Sequence, residues 1–190
     1  MTIGPDNLVA RYQGEGNIAP NLFAVPQVGD CFMSRWPPPL YELRQTFHAP
    51  LPYVFRWLTD YSSDDPDLEQ GSYQRKVIEN RRGHAVLEDL TSTPTGWEWY
   101  RSVVTIRPPD RWHAELRGNV PDWSLDYRLT PLAPDRTLLT IQWRIRKNRS
   151  FPYHTIPPKA VTQRMMRGLW KNFANALDRE YRRERRVRRR

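Results

Sequence analysis

Cysteine is all but missing from this sequence. Cys31 stands alone among 190 residues, which excludes an internal disulfide and any cysteine-rich zinc site. Long apolar runs are missing too, and no stretch approaches the ~20 residues a bilayer-spanning helix needs. Residues 1–20 have neither the basic start nor the apolar centre of a signal peptide. The expectation is a cytoplasmic protein, with peripheral membrane contact as the alternative. The four histidines (His48, His84, His113, His154) are too scattered for zinc spacing. No G-x-S-x-G, P-loop or G-x-G-x-x-G is present. His113-Ala114-Glu115 has the outline of a deaminase H-x-E, but no P-C-x-x-C completes it. Five acids between Asp60 and Glu69 lack the spacing of an EF-hand and read as helix capping and solvation. Neither a metal nor a cofactor is expected.

Aromatics, by contrast, abound. Eight Trp, nine Tyr and six Phe set the chain apart from disordered sequences, and its length suits one domain with a real core. The net charge of +9 is unevenly spread. Between Arg179 and Arg190, eight Arg face Glu180 and Glu184, a local +6, so the remaining body carries about +3.

The division that follows is an extended arm over 1–40, a domain over 41–181 and a basic tail over 182–190. The arm ends in Trp36-Pro37-Pro38-Pro39, which favours polyproline II. The apolar residues 22–25 and 31–33 suggest that part of it packs on the domain. Residues 41–48 alternate as a strand, and Pro50 and Pro52 stop it ahead of a short helix over 53–58. Ser62 to Gly71 reads as a second short helix, capped and acidic at its start. Strands are then expected at 75–80, 84–90, 97–106, 111–117, 121–130 and 137–146, with turns between them, the pattern of an antiparallel meander.

Alternation assigns an apolar face. Trp123, Leu125, Tyr127 and Leu129 share one side of their strand, as do Leu139, Ile141, Trp143 and Ile145, and Trp112, Ala114 and Leu116. The strand from Trp97 breaks the rule. Trp97, Trp99, Arg101 and Val103 share one face and Tyr100, Val104 and Ile106 the other, which suggests a bulge or burial on both sides. A long helix from Pro158 to Arg186 carries Met165, Leu169, Phe173, Ala176 or Leu177, and Tyr181 on one stripe, widened by Met166 and Trp170. The expected fold is α+β: a curved antiparallel sheet of about seven strands wrapped around a long C-terminal helix, with two short helices after strand 1.

That order of elements is the helix-grip arrangement. The sequence resembles the SRPBCC superfamily, also called START-like or Bet v 1-like, and within it the polyketide cyclase/dehydrase and coenzyme-Q-binding group. Three stretches carry the resemblance: residues 47–60 (FHAPLPYVFRWLTD), Ile106-Arg107-Pro108-Pro109-Asp110-Arg111-Trp112, and the hairpin from Leu129-Thr130-Pro131-Leu132 to Thr137-Leu138-Leu139-Thr140. The resemblance spans about residues 40 to 182. It implies an elongated apolar cavity between sheet and last helix, for lipids, sterols, quinones or polyketides; some members are cyclases or hydrolases. A fold of this kind implies a cavity more securely than a reaction.

The expected lining comes from Trp99, Arg101, Trp112, Leu125, Tyr127, Ile141 and Trp143 on the sheet and Met165, Met166, Leu169 and Phe173 on the helix. Plain core packing is the competing reading for each. Arg101 is expected either to meet a polar ligand group or to turn outward into an ion pair, and Gln45 is a second polar candidate. Should the protein catalyse a reaction, His48, Arg101 and Tyr127 are the groups to test; the leaning is toward a non-enzymatic carrier, with an aromatic polyketide cyclase or dehydratase as the alternative. Phe151, Tyr153 and His154 fall where they could gate the cavity. The tail residues Arg182, Arg183, Arg185, Arg186, Arg188, Arg189 and Arg190 complement the helix dipole, or meet an anionic membrane surface, or meet nucleic acid. The last would make the protein a nucleic-acid-associated accessory.

Overall fold

The computed structural model describes residues 41–61, 73–93, 96–148 and 156–188. The expectations for the N-terminal arm, the acidic second helix, the linker aromatics and Arg189–Arg190 lie outside these residues. The chain runs β1 (Tyr41–Phe47), α1 (Leu51–Leu58), β2 (Tyr73–Arg81), β3 (His84–Thr93), β4 (Gly96–Arg107), β5 (Arg111–Gly118), β6 (Asp122–Ala133), β7 (Arg136–Arg146) and α2 (Lys159–Val187).

Local chemistry sets most of these boundaries. Pro50 is extended (φ −62°, ψ 147°) and opens α1, with a further proline in its first turn, where an N–H would have no partner anyway. The β2–β3 turn uses Gly83 at φ +82°, and Gly96 opens β4 at φ +130°, both in the region where glycine meets no Cβ penalty. α2 begins after Pro158 and spans about 43 Å at 1.5 Å per residue. It runs unbroken through Val187, so the basic segment from Arg182 is continuous with the helix.

All seven strands form one antiparallel sheet in the order β1-β7-β6-β5-β4-β3-β2. From β2 to β7 each strand pairs with its sequence neighbour. β1 alone arrives from afar, pairing Leu43 with Ile141 and Phe47 with Thr137. The apolar side of the curved sheet carries the core, closed by Met166, Trp170, Ala174 and Leu177 of α2 and by Tyr53 and Val54 of α1.

Two expectations need correction. The strand from Trp97 contains no bulge: β4 holds one register with β3 from Gly96 to Thr105 and with β5 from Tyr100 to Arg107. Its second apolar row simply faces outward, with Trp97 and Val103 exposed. The register shifts fall instead between Val77 and Glu79 in β2 and between Pro131 and Ala133 in β6. On α2 the buried line is Thr162, Met166, Trp170, Ala174 and Leu177. A strict four-residue stripe drifts about 40° per step, so Met165, three steps before Leu177, has swung out of the core to 56% exposure.

Candidate functional site

Strand register defines the concave face row by row. One row runs Ala85, Val104, Ala114, Leu125, Trp143 and Tyr41; the next, Ile106, Trp112, Tyr127, Ile141 and Leu43. Their aromatics stack into a continuous set. Trp112 lies parallel to Tyr127 with centroids 4.8 Å apart, Tyr127 meets Trp170 at 5.8 Å, and Trp170 meets Phe173 at 5.3 Å. Phe55 and Trp57 of α1 close the ring, 6.0 Å from Trp112 and 6.1 Å from Phe173. Tyr41 stacks on Trp143 at 5.1 Å. Offset and edge geometries of this kind add about 0.5–1.5 kcal/mol per pair beyond burial.

Toward β2 the same face changes character. Leu87 and Ser102 share a row with Leu116 and Trp123, and beyond them lies the row of Arg75, Asp89, Tyr100 and Gly118. Asp89 is 1% exposed and accepts hydrogen bonds from Arg75 Nε at 2.9 Å and Nη2 at 3.3 Å. The guanidinium is itself nearly buried, with 11% of the side chain exposed. Leu87, Asp89 and Ser102 are buried without belonging to the aromatic core cluster. The concave face thus joins an aromatic floor to a forked ion pair at its far end. Gly118 lets the strands come this close there, because a Cβ would stand 1.9 Å from the Trp99 carbonyl oxygen.

Several expected lining residues do lie on this face: Trp112, Leu125, Tyr127, Ile141 and Trp143 from the sheet, Met166 from the helix, and Leu169 and Phe173 half-buried beside it. Three do not. The register puts Trp99 and Arg101 on the convex face, opposite Leu90 and Glu88. Arg101 pairs there with the Glu88 carboxylate, the ion-paired alternative of the two expected for it. Met165 points away from the core. Of the catalytic candidates, Tyr127 lies in the aromatic stack, Arg101 on the convex side, and His48 on an exposed corner where its Nδ1 lies 2.7 Å from Asp178. The three are not brought together. Gln45 shares the concave face but donates to the backbone of Thr46.

A second polar constellation sits on the convex face. His113 Nδ1–H donates to Asp126 at 2.7 Å, and Nε2 lies 3.9 Å from Glu115, too far for a hydrogen bond but near enough for its charge to act. Burial works against the imidazolium, yet the Asp126 hydrogen bond and the Glu115 charge outweigh it and lift its pKa to about 9. Glu115 is held low chiefly by His113, against burial and with help from Arg117; for Asp126 burial pulls up and the His113 bond wins. At neutral pH this places a charged imidazole between two carboxylates, joining β5 to β6. Among the described residues no cluster has the makings of a metal site.

The acids of α2 are turned to the body as well. Asp178 accepts from the His48 backbone N–H at 2.8 Å, Glu180 from Trp57 Nε1–H at 2.8 Å, and Glu184 from the Tyr53 hydroxyl at 3.1 Å. Burial and the Glu184 bond together hold the Tyr53 hydroxyl well above its ordinary pKa.

With this geometry the solved structures can be compared. Zhui, an aromatase/cyclase from Streptomyces sp. R1128, superposes with a TM-score of 0.58 at 18% identity, over 77% of this chain and 94% of that one. A START superfamily protein from Mycobacterium smegmatis gives 0.54 at 13%, over 74% and 94%. The fold is of the SRPBCC, START-like type. The di-domain ARO/CYC protein StfQ from the steffimycin biosynthetic pathway gives a TM-score of 0.61 at 15% identity over 76% of this chain, which spans about half (47%) of that protein. No known family profile matches the sequence, and no curated protein matches it.

Sequence reasoning missed Arg75, Asp89, Ser102 and the α1 aromatics Phe55 and Trp57 as parts of this START-like concave face. One signal was available for Asp89: it continues the buried alternation Ala85, Leu87, and a carboxylate at an apolar position needs a partner.

Proposed function

We propose that this START-like protein binds a flat, hydrophobic small molecule on the concave face of β2–β5, as a carrier or binding protein, with the guest's polar end toward Arg75. The observation that carries this reading is the buried Arg75–Asp89 pair. A buried ion pair is seldom more stabilising than apolar residues of the same volume, so its presence at the end of an aromatic floor fits a role in orienting a guest. The aromatic weight of the floor favours a ring system over an acyl chain, and a carbonyl or hydroxyl would suit a guanidinium donor.

Tryptophan fluorescence quenching by a naphthoquinone, a sterol and a fatty acid separates the guest classes, because Trp112 and Trp170 lie in the floor. The double variant R75M/D89N removes both charges at nearly constant volume. It is expected to retain the fold by circular dichroism and to weaken quinone binding at least tenfold. Unchanged affinity in that variant, or a wild-type protein that binds none of the three, would overturn the reading.

A second reading, aromatic polyketide cyclase or dehydratase, draws support from the likeness of fold to Zhui, described as an aromatase/cyclase. Tyr127 is the described hydroxyl closest to that role, half-buried against Trp112 and Trp170. Turnover of a poly-β-ketone substrate that falls in Y127F would favour it; binding without turnover supports the carrier.

A further inference from the structure

We propose that the outward face of α2 docks the protein onto an anionic lipid bilayer, with the helix lying in the plane of the surface. The helix carries nine basic residues against three acidic ones, a net +6 of the chain's +9. Its charges are sorted by side. Asp178, Glu180 and Glu184 are all engaged with His48, Trp57 and Tyr53 on the body. Arg179, Arg182, Arg183 and Arg186, at steps of three and four, form a stripe on the solvent side, where they line a shallow concavity with Val187. Arg179, Arg183 and Arg186 make no ion pair or hydrogen bond among the described residues; Arg182 donates to the backbone of Asp178. Arg164, Arg167 and Lys171 extend the cationic side toward the helix start.

Charge alone would suit any polyanion. Apolar groups on the same side decide between them. Val161 and Met165 stand 54% and 56% exposed one turn apart, flanked by Arg164 and Arg167, and Val187 is 69% exposed at the other end. Exposed apolar side chains set among snorkelling cations are what an interfacial helix inserts below the headgroups. The helix aromatics that could stack on a nucleobase, Trp170, Phe173 and Tyr181, all pack inward. Among the described residues no helix is long and apolar enough to cross a membrane, so the contact is peripheral. The inference stands apart from whatever the concave face holds.

Co-sedimentation of the full chain with phosphatidylcholine vesicles, with and without phosphatidylserine, tests it. Binding is expected with phosphatidylserine and is expected to fall as salt rises. Each neutralised Arg near the surface should weaken partitioning by about fivefold. R179Q/R182Q/R183Q/R186Q should therefore lose at least about a hundredfold at low salt, with an unchanged circular dichroism spectrum. V161S/M165S should weaken binding with little change in salt slope. Equal binding to both vesicle types, no loss in the fourfold variant, or tighter binding to a duplex oligonucleotide than to vesicles at the same salt would overturn the proposal.

Discussion

His113 shows how one side chain ties two strands. It lies on β5 directly opposite Asp126 of β6 and Thr105 of β4, and its charge is held by two carboxylates. Its folded pKa, about 9, exceeds the ordinary imidazole value, so the stability it contributes is fully present below about pH 6.5 and is lost as pH rises through 9. Asp126 and Glu115 are held low, so theirs is present above the ordinary carboxylate range and lost as pH falls below that range through their lowered values. Melting temperature should peak between about pH 5 and 6.5. H113Q should flatten the decline between pH 7 and 9 and cost about 2 kcal/mol at pH 6; an unchanged slope would mean that another group titrates. Gly118 is a harder constraint. A Cβ there would meet the Trp99 oxygen at 1.9 Å and the Tyr100 Cα at 2.6 Å, both backbone, so β4 must move. G118A should cost about 3 kcal/mol by urea midpoint. Arginines stacked across the convex strands point the other way. Arg111 is opposite both Arg107 and Arg128, an arrangement that repels. R128E should raise the melting temperature by about 1–2 °C.

Elements were far more legible in the sequence than their faces. Turn residues and period-2 alternation together placed all seven strands within a few residues, although alternation failed for the strand from Trp97. The Arg75–Asp89 pair was hidden for a specific reason. Counting outward from the Gly83 turn, Arg81 faces His84, and an unbroken register would put Lys76 opposite Asp89. The irregularity between Val77 and Glu79 shifts the pairing by one residue and brings Arg75 there instead. No sequence pattern announces that shift. The mutual fit of α1 and α2 was equally silent: it is a clasp of Glu180 on Trp57 and Glu184 on Tyr53, with Asp178 on His48 beside it, and in the sequence Glu180 and Glu184 counted only as charges against the arginines. That clasp is testable. D178A/E180A/E184A should speed hydrogen exchange of the α1 amides at least about tenfold while leaving β5–β7 protected, a local rather than global opening. Uniform loss across the sheet would show the clasp to be part of the cooperative core.

At the scale of the molecule, the meander separates local pairings from one long-range closure. Strands β2 to β7 pair with their neighbours through short turns, so their contacts close small loops. β1 must instead find β7 across roughly a hundred residues, and it docks together with α1 and the end of α2. Phe47 is the pivot of that closure. It is fully buried opposite Thr137, whose hydroxyl donates to the Ala49 carbonyl at 2.8 Å, two residues further on. F47A should cost about 3–5 kcal/mol. If β1 closes after the meander has formed, that loss belongs almost wholly to a faster unfolding rate, with the folding rate little changed. Stopped-flow rates against urea decide it: a folding arm slowed as much as the unfolding arm is quickened would place β1 in the nucleus, and would make the long-range closure the first event rather than the last.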